Sequence, residues 1–167
     1  MKVLVMNIDT LEMAKKLIDE GAKMAETMIL NMASKFKPGG GVRNGVGTQE
    51  EDLFRRSGYF LHIPPDLYEL KTGDFIFSRN VIVIKGTDYK FLLNRFWCNA
   101  LAVAALKNPP LNNDGSYKDP SHYDIMYNKI HGIFKIAYLQ GQKHLILGSL
   151  RCGAYGNDAL HNCIDFQ

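Results

Sequence analysis

The chain's densest concentration of chemistry-bearing residues is Gly39-Gly40-Gly41, a seven-residue spacer, and Gln49-Glu50-Glu51. Three successive glycines let backbone amides approach a ligand with no Cβ in the way. A helix starting at Thr48 turns its positive end and unpaired amides toward the same spot. Together these features describe a pyrophosphate site. It is not the common nucleotide-triphosphate loop, because no Gly-Lys-Ser/Thr follows the glycines to place a lysine on a γ-phosphate, and the GxGxxG dinucleotide fingerprint is absent too. Glu50 and Glu51 fall in the first turn of the helix, and spacing alone leaves two readings open. Either Thr48-Gln49-Glu50-Glu51 is a capping box in which Glu51 bonds back to the Thr48 amide, or the carboxylates do acid/base chemistry. A helix amino end depresses a carboxyl pKa, whereas a bound pyrophosphate raises it, so any acid here has a ligand-dependent strength.

The elements that must position these residues are read from hydrophobic periodicity. Met28-Ile29-Leu30 reads as a strand feeding the first loop, Ser34 to Gly47, and Leu145-Ile146-Leu147 as a strand feeding a second glycine-bearing loop, Gly148 to Asn157. Ligands of open α/β sheets bind at such carboxyl ends of strands. Val3 to Met6 reads as a further buried strand. Asp9-Thr10-Leu11-Glu12 offers an acidic cap for a helix whose Leu11, Ala14, Leu17 and Ile18 share one face before Gly21. Thr48 to Ser57 reads as a helix stopping before Gly58. Phe75-Ile76-Phe77, a turn at Ser78-Arg79-Asn80 and Val81 to Ile84 read as a hairpin. Ala100 to Leu106 is another strand candidate, followed by a Pro/Asn/Gly/Asp-rich loop from Asn108 to Pro120. Ser121 to Gln140 carries Met126, Ile130, Ile133, Phe134 and Ala137 at helical spacing, with Gly141 as its cap. Alternating strands and helices predict a layered α/β domain.

The whole chain bounds these readings. Its 167 residues suit one domain, and 46% apolar with 22% charged residues is a globular mix, not a disordered one. A formal net charge of +3 is too small to announce a DNA or RNA binder, though it does not repel a polyanion. The three cysteines, Cys98, Cys152 and Cys163, form no CxxC pair, so reduced thiols in a cytoplasmic setting are expected. The apolar stretch at the start is too short for a signal core, and the longest apolar run is far below a membrane span, so no membrane partner is expected. His62, His122, His131, His144 and His161 are too scattered for a metal cluster. Cys152 has no base at a known spacing to make it a nucleophile. Trp97 and Phe96 read as core more than as an adenine platform, and Lys35 and Lys37 as a solvated loop face.

Gly39-Gly40-Gly41 with Gln49-Glu50-Glu51 resembles the signature of the poly(ADP-ribose) glycohydrolases, which are relatives of the macrodomains. The flanks Leu30-Asn31-Met32-Ala33-Ser34 and Glu51-Asp52-Leu53-Phe54-Arg55-Arg56-Ser57 resemble the bacterial-type branch. Cys152-Gly153-Ala154-Tyr155-Gly156-Asn157 resembles that family's diphosphate-covering loop, with Tyr155 where the family usually has Phe over the ribose. Leu150-Arg151 stands where typical members carry Trp-Gly; Arg151 is open to either phosphate contact or solvation. Asn7-Ile8-Asp9-Thr10 is similar to the family's early strand end, whose acidic residue recognises adenine.

The resemblance implies a macrodomain-like three-layer α/β/α fold with a mixed central sheet, formed by one catalytic domain over residues 1–167 and expected to lack the family's C-terminal strand. It implies hydrolysis of ribose–ribose O-glycosidic bonds in poly(ADP-ribose) to release ADP-ribose, by a monomer without metal or cofactor. Glu51 is then a single acid/base, since adjacent helical residues project about 100° apart and do not flank one bond as a glycosidase pair does. Glu50 holds ribose hydroxyls and Asn31 orients the terminal ribose. Gly40, Gly41, Gly153 and Ala154 hold phosphates, while Asp9, Gly39, Gln49, Tyr155, Gly156 and Asn157 complete the substrate site. Two alternatives remain: an ADP-ribose-binding reader without turnover, which has no need of the Glu50-Glu51 pair, and a hydrolase of mono-ADP-ribosylated protein.

Overall fold

Helix and strand alternate along the chain in the computed structural model, which describes residues 2–150: α1 (Thr10–Asp19), β1 (Thr27–Met32), α2 (Gln49–Arg56), β2 (Ile76–Lys85), β3 (Phe91–Val103), α3 (Ser121–Leu139) and β4 (His144–Ile146). The strands form one mixed sheet in the order β2-β3-β1-β4. β1 lies parallel to both neighbours, with Asn31 opposite Ala102 of β3 and Met28 opposite Leu145 of β4. β2 closes the other side, antiparallel to β3.

Alternation along β1 divides the interior in two. Ile29 and Ala33 pack with Leu11 and Ala14 of α1 and Leu53 of α2. Met28 and Leu30 pack with Met126, Ile133 and Ala137 of α3. Successive strand side chains point to opposite faces, so Asn31 falls on the α1/α2 face between Ile29 and Ala33, a buried polar residue in an apolar row. The three-layer α/β/α architecture with a mixed sheet is therefore as expected. α1 starts where Asp9 accepts from the Leu11 and Glu12 amides at 3.0 and 3.1 Å. α3 buries the stem of Lys129 among its apolar stripe and sends the ammonium to the Thr72 carbonyl at 2.6 Å.

Three sequence expectations are corrected. Val3 to Met6 forms no strand and is exposed, with Val5 at 97%. Both edges of β1 are taken by β3 and β4, and the run pairs with neither outer strand of the sheet, so its apolar residues meet no core. Ser78-Arg79-Asn80 is not a turn; β2 runs through it, with a register irregularity between Ser78 and Val81 and Asn80 at φ +56°. Turn-favouring residues here make a bulge, and the chain reverses instead at Gly86–Lys90, where the Gly86 amide meets the Lys90 carbonyl at 3.0 Å. The candidate strand at Ala100 to Leu106 begins earlier, at Phe91, and ends at Val103. No helix among the described residues is long and apolar enough to cross a membrane. The second glycine-bearing loop from Arg151 onward, and the expected loss of a C-terminal strand, lie outside the described residues.

Candidate active site

Gln49 fastens the amino end of α2 to the carboxyl end of β1. Its Nε2 donates to the Leu30 carbonyl at 2.6 Å and its Oε1 accepts from the Met32 amide at 2.9 Å. A side-chain amide that copies a backbone pairing fixes α2 in register with the strand, and the next two residues inherit that placement.

Glu50 turns inward and is 2% exposed. Its Oε2 accepts from the Ser34 amide at 2.7 Å, and its Oε1 from the Gly39 amide at 3.2 Å and the Asn31 Nδ2 at 3.4 Å. Burial dominates its titration and pushes the carboxyl up to about 7 against the pull of those donors, with the Glu51 charge adding to the rise. Glu51 is also buried but lies the other way electrostatically. Burial works to raise it, yet the Thr48 hydroxyl and the Gly41 amide outweigh that and hold the carboxyl below its ordinary value. Its Oε1 accepts from the Gly41 amide at 2.8 Å; its Oε2 accepts from the Thr48 amide at 3.2 Å and from the Thr48 hydroxyl. The capping box read from sequence is therefore present.

The two acids meet over the triglycine turn. Gly40 has φ +49°, and a Cβ there would stand 2.5 Å from Oε1 of Glu51 and 3.1 Å from Oε2 of Glu50. A Cβ on Gly39, at φ +70°, would stand 2.7 Å from the Phe54 ring. Only glycine permits this approach of loop to helix. Neighbouring carboxyls whose surroundings drive their proton affinities apart form a donor–acceptor pair. Asn31, Gly39, Gly40, Gly41, Gln49, Glu50 and Glu51 are thus brought together at the end of β1. A groove of about 450 Å³ beside the loop is lined by Lys35, Glu69, Leu70, Lys71 and Thr72, and by neither Glu50 nor Glu51.

Asp9 stands apart, toward the carboxyl end of α2. Its Oδ1 caps α1 and also takes Nη1 of Arg56 at 3.0 Å. Arg56 is almost fully buried and reaches Asp52 at 2.7 Å and Glu12 at 3.4 Å as well. One guanidinium therefore ties the proposed adenine-side residue to the helix carrying the glutamates. The sequence reading missed Arg56, although its spacing four residues after Asp52 is an ion-pair signal. It also missed the Ser34 amide and the tyrosines behind Glu50, for which no local signal exists. Phe96 is buried in the core on β3, whereas Trp97 is half-buried and joins neither core cluster, and Lys35 and Lys37 are exposed. Gly153, Ala154, Tyr155, Gly156 and Asn157 lie outside the described residues. No group of His, Cys, Asp and Glu among the described residues is arranged to hold a metal.

A family profile described as the microbial-type PARG catalytic domain matches residues 1–86. Among solved structures, the chain is similar to poly(ADP-ribose) glycohydrolase from Thermomonospora curvata bound to the inhibitor ADP-HPD, at 24% identity and a TM-score of 0.77, covering 95% of this chain and 62% of that one. It is also similar to the Deinococcus radiodurans glycohydrolase in complex with ADP-ribose, at 23% identity and a TM-score of 0.80, covering 95% and 66%. At these identities the structures establish the fold alone, and the chain spans about three-fifths of the length of the first. No curated protein matches.

Proposed function

We propose that this chain, which belongs to the family of microbial-type poly(ADP-ribose) glycohydrolase catalytic domains, binds ADP-ribose units and hydrolyses the ribose–ribose O-glycosidic bond of poly(ADP-ribose). The observation that carries this reading is the convergence of Glu50 and Glu51 on Gly40 at the amino end of α2. A diphosphate seated on the Gly40 and Gly41 amides takes the Gly41 donor that Glu51 holds at 2.8 Å. It also brings negative charge beside that carboxylate, and both effects raise its proton affinity. Glu51 then protonates the departing ribose oxygen as the bond to the anomeric carbon breaks. The anomeric carbon becomes oxocarbenium-like, and the Glu51 carboxylate takes a proton from the water that attacks it. Glu50, held from behind by Ser34, Gly39 and Asn31, orients ribose hydroxyls. Gln49 serves by fixing α2 on β1.

The test is chromatographic detection of ADP-ribose released from poly(ADP-ribose). Glu51→Gln is expected to lose roughly 100-fold or more in turnover while still binding ADP-ribose in calorimetry. Full activity in that variant overturns the assignment, and binding without release by the wild-type chain points to a reader. The burial that lifts Glu50 to about 7 favours a second reading in which the two acids exchange roles. In that case Glu50→Gln takes the larger loss.

A further inference from the structure

Among the described residues, five buried side-chain polar atoms make no hydrogen bond, and four of them are Asn31 Oδ1, Tyr59 OH, Tyr68 OH and Ser78 Oγ. Burial raises the fully buried Tyr59 hydroxyl, with Tyr68 and Glu50 adding to the rise and the neighbouring Asn31 and Ser78 side chains opposing it; burial, then Glu50, raises Tyr68. Buried polar atoms are paired in nearly all proteins, and an unpaired one costs about 1–3 kcal/mol. Asn31, Tyr59 and Tyr68 all bear on the one Glu50 carboxylate, and Ser78 adjoins Tyr59. The Tyr59 ring is fixed against Phe54, with centroids 5.1 Å apart. Asn31 directs Nδ2 at Glu50, which leaves its Oδ1 buried and without a partner. Rotating that amide by half a turn would set its oxygen against a carboxylate oxygen.

We propose that Tyr59 is a positioning residue whose hydroxyl donates to Asn31 Oδ1, directly or through one internal water shared with Ser78 and Tyr68, and so locks the Asn31 amide with its NH2 on Glu50. The catalytic consequence rests on the function proposed above; the lock itself does not. Ionisable groups facing Glu50 are Glu51 on its own helix and Tyr59 and Tyr68 from the segment after it, while β1 contributes the neutral Asn31. Asn31 donates to the Glu50 anion and favours it, so freeing the amide moves Glu50 ionisation to higher pH.

Carbon-13 NMR titration of the Glu50 carboxyl is the test, because it needs no turnover. Tyr59→Phe keeps the ring and is expected to raise the Glu50 midpoint by about half a pH unit, with the matching limb of the pH–rate profile moving the same way. Asn31→Ala is expected to raise it at least as far, and the double variant no further than Asn31→Ala alone. A Tyr59→Phe protein that folds and titrates like the wild type overturns the proposal, as do additive shifts in the double variant. Should Tyr59→Phe not fold, a high-resolution wild-type crystal structure decides. Oδ1 bonded to the tyrosine hydroxyl or to a shared water upholds the lock, and Oδ1 bonded to neither overturns it. A chain inactive on poly(ADP-ribose) but shifting as described keeps the lock and removes the enzymatic reading.

Discussion

A methyl group on Gly40 would meet both candidate acids, at 2.5 Å from Glu51 and 3.1 Å from Glu50, on a backbone at φ +49°. Gly40→Ala is therefore expected to displace the carboxylates and reduce ADP-ribose release by at least tenfold, while circular dichroism stays that of the folded chain. The inward acid also leaves a mark on stability. The Glu50 carboxyl moves from an ordinary 4.5 up to about 7 on folding, mainly by burial. Its contribution to stability is complete below about pH 4.5 and is lost as pH climbs through about 7, by roughly 3 kcal/mol at most. Urea unfolding from pH 5 to 8 should show that decline, and Glu50→Gln should flatten it. The triglycine turn and the paired acids were legible in the sequence because their function is local. Which acid is driven up was not, since it depends on which of the two the folded loop buries more deeply, and burial outweighs the opposing pull of Ser34, Asn31 and Gly39 on Glu50.

The helix α2 is anchored at both ends by side chains. Its start is the Thr48–Glu51 capping box and its finish is Arg56 among Asp9, Asp52 and Glu12. Thr48→Val removes the hydroxyl that most lowers Glu51, so it should cost about 1 kcal/mol of stability. It should also shift the Glu51 limb of the pH–rate profile upward. Arg56→Met leaves three carboxylates facing one another without their cation. Because those partners are a quarter to a half exposed, the loss expected in urea unfolding is about 2 kcal/mol, less than for a fully buried pair. Periodicity located α1, α2, α3, β1 and β4 closely, because one face of each meets a core. It failed at Val3 to Met6, where an apolar run pairs with no strand of the sheet, and at Ser78 to Asn80, where a bulge and a turn share residue preferences.

Seen as layers, the protein keeps its chemistry on the α1/α2 side of the sheet and lets α3 stabilise the other. A Cβ on Gly132 of α3 would collide with the Phe75 ring in that second core. Gly132→Ala should accordingly lower the melting temperature by several degrees, through overpacking of about 1–3 kcal/mol, and leave ADP-ribose release within about twofold of wild type. Strand order was the least legible level, because pairing β1 with β3 and β4 is decided across long stretches of chain. That same pairing governs when the site's residues can first be held together. β1, which presents Asn31 and receives Gln49, has no sheet neighbour until β3 and then β4 are made. Long-range pairings of this kind form slowly. A nascent chain leaving the ribosome therefore carries the glycines and both acids well before it carries their arrangement, which arrives only when translation has delivered the strands that hold them.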